Sequence, residues 1–454
     1  YKILQERNPC KRKNNIIRTV GKANTEEEVN QLKKEAYLFL TTRKNQGIRI
    51  DLAKLQHILF SPGGIKLLAR HITKEYGMEP IIAESFGPYT DCFYDELVHR
   101  FYFLKSELQL GLKTGKGKDR FYRFLDKLHL AKEKIEIAFF QSLVAKKKIT
   151  NREVKIDTTS TYFEGNTISI AMYGYSRDHR KDRKQVILLL VLVDGYPLFS
   201  EVYEGNKKDA SLFLQSLDSL TKKGLRDITV FTDRGFFHKN HFDKIKHIKY
   251  VIATPRRLGE WNNYFDLKEG DHIINGMRAV LFINHELRAN LLAELEKALQ
   301  CLEEDLKKCN SSDLKKKHPH LKKFIDFETK SIKQNTLEKE KKVLGKCLLL
   351  TNIPSEEKNA EEIVQGYKSL NEIEGNFRAL KTDLHLRPVF HHNENRVKAH
   401  ILMCTLILLY KKIIDVDFGK NVFQQSLDDF SFQFIGNDMD ISWQQNKKFY
   451  DSLA

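Results

Sequence analysis

At residue 151 the hydrophobic period of this chain switches from that of helices to that of strands, and no other feature constrains its fold as strongly. Residues 1–150 read as mostly helical. Thr25–Leu40 opens with a threonine cap and an acidic first turn. Asp95–Leu112 and Asp119–Lys147 carry apolar residues at helical spacing on either side of a basic, glycine-containing loop, Gly111–Asp119. From Arg152 the texture is alternating and β-branched. Strands are expected over Arg152–Gly165 and Asn166–Tyr175, then as a pair within Lys184–Asn206 around an Asp194-Gly195 turn. A helix from Asp209 stops at Gly224, and strands follow at Asp227–Phe237 and Lys249–Pro255.

This is an antiparallel run followed by strand and helix alternation, an α/β sheet of the ribonuclease-H kind. Residues 256–344 break the alternation with a strand at Met277–Asn284, a charged helical stretch and the basic segment Leu314–Phe324, and they read as an inserted α/β subdomain. The basic segment is either a solvated face or a stripe for DNA phosphates. The sheet resumes with Lys346–Asn352. One long amphipathic helix is expected over Ala360–Pro388, capped at Asn359 and ended before Pro388. An apolar helix around Ala399–Tyr410, too short to span a bilayer, closes the core. The resulting division is a helical N-terminal region at 1–150, a catalytic domain at 151–255 and 345–418, the insertion at 256–344 and a C-terminal tail at 419–454. The N-terminal region reads equally as a DNA-binding or dimerising module and as a cap on the next domain.

With 41% hydrophobic and 30% charged residues among 454, the chain has apolar material for more than one core. Its formal charge of +17 fits a polyanionic partner such as nucleic acid, or a protein that is merely basic. No apolar stretch is long enough to cross a membrane and no signal peptide opens the chain, and a cytoplasmic, nucleoid-associated place is expected from cysteines that read as reduced thiols; the lack of an initiating Met leaves the true N-terminus open. The six cysteines show no zinc spacing and read as reduced thiols.

Three acids are placed where packing does not want them. Asp157 lies on the first strand, Asp233 where an apolar strand ends, and Glu374 on the long helix. An unpaired carboxylate at such a strand end is costly to bury but well placed to hold a cation. Two aspartates and a glutamate offer the hard oxygen ligands that Mg²⁺ takes, and a pair of such ions suits phosphodiester chemistry. Tyr367, Glu374 and Lys381 are spaced by sevens and Arg378 follows Glu374 by four, so all four share one helix face. That face reads either as a metal and phosphate clamp or as a surface ion-pair ladder. Asp178, Asp182 and Asp194 read as turn residues. His391-His392, with no second histidine cluster, reads as phosphate contact or solvation rather than a metal site, and His238 as a residue with little claim on substrate.

These residues, in this order, resemble the DDE transposases of bacterial insertion sequences. Within them the chain is similar to the insertion-sequence-four superfamily, whose glutamate helix carries the signature Tyr-x2-Arg-x3-Glu-x6-Lys. Tyr367, Glu374 and Lys381 match it, and Leu370 stands in place of the arginine, with Arg378 and Arg387 nearby to compensate. Gly174–Val186, Glu204–Phe213, Thr232–Phe237 and Leu386–Ile401 resemble further segments of that family, over roughly residues 150–410. The resemblance implies a ribonuclease-H-like fold with an insertion between Asp233 and Glu374. It implies Asp157, Asp233 and Glu374 as catalytic metal ligands for Mg²⁺ or Mn²⁺, as two ions, and Tyr367 and Lys381 as contacts to the DNA backbone; Arg378, on the same helix face, is a further expected DNA contact. It further implies binding of double-stranded DNA at terminal inverted repeats and target, a homodimer in the DNA complex, no membrane partner, cleavage by water and attack of the freed 3′-hydroxyl on target DNA. A ribonuclease-H-like nuclease that cuts without joining, and an inactive DNA-binding derivative, would share most of these residues; the presence of all three acids argues against the second.

Overall fold

A computed structural model describes residues 4–7, 14–18, 57–61, 63–100, 106–163, 168–255, 267–384, 386–387, 389–419, 430–435 and 440–443. The expected helix Thr25–Leu40 and Cys10 lie outside them. The chain divides into two compact units, one of residues 1–58 and 433–440, the other of residues 59–432 and 441–454. In the first, Leu4–Arg7 pairs antiparallel with Asn14–Arg18. All that follows concerns the second.

Its helices begin with α1 (Gly63–Glu75), α2 (Glu79–Phe86), α3 (Thr90–His99), α4 (Glu107–Thr114) and α5 (Lys118–Ala145). In α5, Phe121, Phe124, Leu128, Ile135 and Phe139 recur at helical spacing and all are buried. The basic loop between α4 and α5 is shorter than expected, and its Lys116 pairs with Asp91 and Asp95.

An eight-stranded sheet follows, built from β1 (Glu153–Tyr162), β2 (Gln185–Val193), β3 (Tyr196–Glu204), β4 (Thr229–Thr232), β5 (Lys249–Ala253), β6 (Gly270–Ile274), β7 (Met277–Ile283) and β8 (Lys346–Thr351). Its order is β3-β2-β1-β4-β5-β8-β7-β6. β3, β2 and β1 pair antiparallel, β1, β4 and β5 pair parallel, and β8, β7 and β6 continue antiparallel. β2 is buried along its whole length, as a central strand should be. The crossover from β3 to β4 is α6 (Asp209–Lys222), placed by its apolar face, Leu212, Phe213, Leu217 and Leu220.

The strand expected over Asn166–Tyr175 does not form among the described residues; Met172 makes only an isolated bridge with Gln185. The reason is that both edges of β2 are taken, by β1 on one side and β3 on the other. The segment instead buries Ile168, Ile170 and Ala171 and closes on Gly205, where a Cβ would meet the Gln185 carbonyl oxygen.

Within residues 256–344, β6 and β7 join the main sheet through β8. The helices α7 (His285–Lys308), α8 (Ser311–Lys317) and α9 (Gln334–Val343) carry a small core of their own, with Leu299, Leu302, Leu314, Phe324 and Leu337. The basic segment puts Leu314, Leu321 and Phe324 into that core and leaves its lysines outside.

The expected single helix over Ala360–Pro388 is two: α10 (Ala360–Lys368) and α11 (Asn371–Thr382). A capping box of Asn359 and Glu362 starts α10 as anticipated. The break follows Ser369, whose hydroxyl donates to the Gly366 carbonyl while the Leu370 and Glu372 amides make tighter, three-residue bonds. α12 (Glu394–Asp417) is buried almost all round, and Thr73 of α1 hydrogen-bonds its Tyr410 hydroxyl at 2.7 Å. One core cluster runs from Ile65 of α1 through the sheet to Ile414 of α12. Glu136 of α5, fully buried, accepts from Lys132 and from Lys223 beyond α6 at 2.9 Å each, so its charge is paired. Among the described residues no helix is long and apolar enough to cross a membrane.

α10 lies on the sheet because Gly366 lets it. A Cβ there would come within 2.3 Å of the fully buried Phe231 ring on β4. Gly366→Ala should therefore destabilise the protein by about 1–3 kcal/mol through overpacking. Combined with Phe231→Leu it should cost less than the sum of the two single changes in denaturant unfolding. A neutral Gly366→Ala, or strict additivity, would show that this contact does not set the helix.

Candidate active site

Strand register brings the first two acids together. β1 and β4 run parallel with Ile156 opposite Thr232, so Asp157 stands beside Asp233, the residue at which β4 ends. Neighbouring strands lie about 4.8 Å apart, and equal register sends both carboxylates to the same face. Phe231, two residues earlier and on that face, meets Gly366 of α10. Lys155, two residues before Asp157, donates to Glu372 of α11 at 2.7 Å. These two contacts lay α10 and α11 over the end of β4, and Glu374 of α11 reaches the same cleft as both aspartates.

Two adjoining hollows of about 360 and 350 Å³ share Asp157, Asp233 and Glu374 in their walls. Tyr367 lines the first and Lys381 the second; Arg378 lines neither and is exposed. The seven-residue spacing thus survives the helix break for Tyr367, Glu374 and Lys381, but not as one continuous helix face. Tyr367 is half-buried and its hydroxyl donates to Asp233 Oδ1 at 3.3 Å. Burial first, then Cys347 and Asp233, push its pKa up, so the hydroxyl remains a donor. Lys381 donates to Asp178 Oδ1 at 2.8 Å, and Arg387 pairs with the same oxygen. Burial lowers the Lys381 pKa against the pull of Asp178.

The three acids lack counter-charges. Asp157 accepts the Thr158 amide at 2.7 Å and Asp233 the Arg234 amide at 2.7 Å. Among the described residues no lysine or arginine pairs with Asp157, Asp233 or Glu374 within 4.0 Å. Burial pushes the Asp157 carboxyl up to about 7, the Thr158 amide opposes this, and the charges of Asp233 and Asp209 add to it. Hard oxygen donors that line one cleft and pair with no lysine or arginine are a donor set that a divalent ion fits.

Sequence reasoning left out the residues that brace this set. Asp209, first residue of α6, accepts the Thr158 hydroxyl at 2.6 Å and the Arg177 guanidinium at 2.5 Å. The signal was present, since Arg177 and Asp209 lie in segments singled out above, but only folding sets them beside Asp157. Asp178 sits in a turn as expected, yet its side chain is only 6% exposed and ties that turn to α11. Asp182 pairs with Arg180 and Arg183 at the surface. Asp194 is the hairpin residue, with φ 47°, and its carboxylate also accepts the amides of Thr150, Asn151, Arg152 and Glu153, which fixes the start of β1. His238 lines neither hollow and accepts the Asn240 amide. The reading of His391 as solvated or phosphate-facing is corrected: it is buried against Glu107 and His400, because the chain after α11 turns back beneath the N-terminal helices.

A family model described as a transposase DDE domain matches residues 151–410. The chain belongs to the DDE transposase family. It is therefore a DNA transposase, an enzyme of the polynucleotidyl transferase and nuclease class that acts on DNA with divalent metal ions. The start of the match coincides with the switch of hydrophobic period at residue 151. No curated protein matches the transposase. Among solved structures, a piggyBac transposase synaptic complex with hairpin DNA, determined by cryo-EM, resembles it with a TM-score of 0.40 and 8% identity over 74% of this chain and 70% of that one, a likeness too slight to build on.

The raised Asp157 pKa has a consequence for the metal-free transposase. Its folded value of about 7 exceeds the ordinary 3.8, so between those values the folded state holds more protons than the unfolded one. Stability from this group is thus lost as pH rises through that window. Asp157→Asn should raise the melting temperature of metal-free protein by a few degrees at about pH 8, with the gap closing toward about pH 5. Mg²⁺ or Mn²⁺ should raise the melting temperature of the unaltered chain more than that of the variant. A variant less stable at every pH would contradict the burial of an unpaired charge at Asp157.

Proposed function

We propose that this transposase cleaves DNA at the terminal inverted repeats of a bacterial mobile element and transfers the freed 3′-hydroxyl ends into target DNA. Asp157, Asp233 and Glu374 hold the catalytic metals. The observation that carries this reading is the convergence of three unpaired carboxylates, from two neighbouring strands and a covering helix, on one cleft. Two Mg²⁺ ions there would activate the attacking oxygen and stabilise the leaving one. The strand order β3-β2-β1-β4-β5, antiparallel then parallel, supports a ribonuclease-H-like catalytic fold. The Tyr367, Glu374 and Lys381 spacing supports membership of the insertion-sequence-four branch.

The remaining roles follow from position. Tyr367 holds Asp233 in place and presents its ring at the cleft wall. Lys381 releases Asp178 to Arg387 and takes a DNA phosphate, while exposed Arg378 takes a backbone contact beside it. The helical region 1–150 and the insertion 256–344 supply end recognition around the catalytic parts 151–255 and 345–418, with 419–454 as a tail. The active assembly is a homodimer on paired ends, working in the bacterial cytoplasm beside the nucleoid.

Asp157→Asn, Asp233→Asn and Glu374→Gln should each abolish Mg²⁺- or Mn²⁺-dependent cleavage of end-containing DNA while leaving end binding nearly intact. Strand-transfer products from precleaved ends distinguish joining from cutting alone; their absence with active cleavage would leave only a nuclease. Lys381→Ala should lower end affinity and reduce the salt slope by roughly one unit, nearly independently of base sequence. Unchanged affinity and slope would confine Lys381 to its ion pair with Asp178.

A further inference from the structure

We infer that Glu107, His391 and His400 form a second metal site, for Zn²⁺ or a similar transition ion, that staples α4 to α12 away from the catalytic cleft. Glu107 is the first residue of α4, His391 lies just before α12, and His400 is on α12. All three are buried, and their ligand atoms lie within 4.8 Å of one another. They are the only such trio of potential ligands among the described residues. Glu107 Oε1 stands 3.2 Å from His391 Nε2 and 3.9 Å from His400 Nδ1. Ligands about 2.1 Å from a tetrahedral zinc are separated by about 3.4 Å, so the trio needs little movement to close on an ion.

The His400 ring is oriented as a ligand would be, while His391 Nε2–H donates to Glu107 at 3.2 Å and would give up that proton to an incoming ion. His400 is only 1% exposed, and its Nδ1 has no hydrogen-bond partner. Its other nitrogen faces the Leu386 carbonyl oxygen at 3.3 Å. An Nε2–H donated to that carbonyl leaves the Nδ1 lone pair directed at Glu107.

The surroundings also favour a cation. Arg100, buried, donates to Glu107 Oε1 and to Glu96 Oε2 at 2.7 Å each. It braces the Glu107 carboxylate as an outer-shell group does, and one guanidinium faces two carboxylates. Glu96 Oε1 is a further buried atom without a hydrogen-bond partner. A carboxylate and two imidazoles select transition ions over Mg²⁺, so this site and the all-carboxylate cleft differ in the metal they take.

The test uses the full chain carrying Asp157→Asn and Asp233→Asn, which removes the cleft as a competing site. After Zn²⁺ loading and dialysis it should retain one zinc per chain, and X-ray absorption should show imidazole scattering from two histidines. His391→Ala should weaken Zn²⁺ binding by more than the roughly 10–100-fold that losing an outer-shell group costs. The milder Glu107→Gln should also weaken it, and chelation should lower the melting temperature of the chain with intact ligands. No retained zinc, an oxygen-only shell, or unchanged affinity in both variants would overturn the site. The absorption spectrum is taken on the chain with all three ligands, so the result stands even if a ligand variant folds poorly.

Discussion

The register of two parallel strands is what the rest of the cleft's geometry depends on. β4 is only four residues long, and its last pairing, Thr232 with Ile156, leaves Asp233 at its end beside a residue that is still mid-strand. A shift of one residue would send one carboxylate to the opposite face of the sheet. The buried, β-branched and aromatic content of β1 and β4 specifies that register against slippage. It therefore also specifies where negative charge collects.

That charge is expensive in the absence of a cation, and the surroundings hold it rather than neutralise it. Arg177 lies nearby but is engaged by Asp209 and Thr158, and Lys381 is engaged by Asp178. The cations around the cleft thus rigidify its walls while the three central acids stay unpaired. This fits the general pattern in which stability is given up at a functional site and recovered elsewhere. Here the recovery comes from one core that runs through the helices before the sheet, the sheet itself and α12. Because Ile65, Phe124 and Ile135 belong to that core, the helices at 63–145 are part of what supports the sheet, whatever else they contact.

The residues between the second aspartate and the glutamate take part in the same economy of contacts. β6, β7 and β8 extend the main sheet beyond β5, and Phe282 of β7 meets Tyr367 edge-on at 6.0 Å. The segment is joined to the main sheet at the point where α10 is laid down. Its helices α7–α9 then close a small core of their own. The start of α7 touches the cleft directly, since Asn284 at its cap and Leu287 line the first hollow.

Much of this was legible in the sequence. The change of period at residue 151, most strands, the cap at Asn359 and the three acids all rest on local patterns: strand and helix periods, capping chemistry, and acids placed where apolar runs end. What was not legible depends on neighbours distant in the chain. Asn166–Tyr175 has strand character but no free sheet edge to join, since β1 and β3 already flank β2. The helix through Tyr367 and Glu374 breaks at Ser369, where periodicity alone gives no warning. Asp209 and Arg177 look like ordinary first-turn and turn residues until folding sets them against Thr158. His391 looks solvated until α12 brings His400 beside it and α4 brings Glu107. By itself the sequence determined which segments become strands and helices and which acids stand at their ends, because those depend on residues a few positions apart. Only the tertiary structure decided which charges meet, because burial and pairing depend on segments hundreds of residues apart.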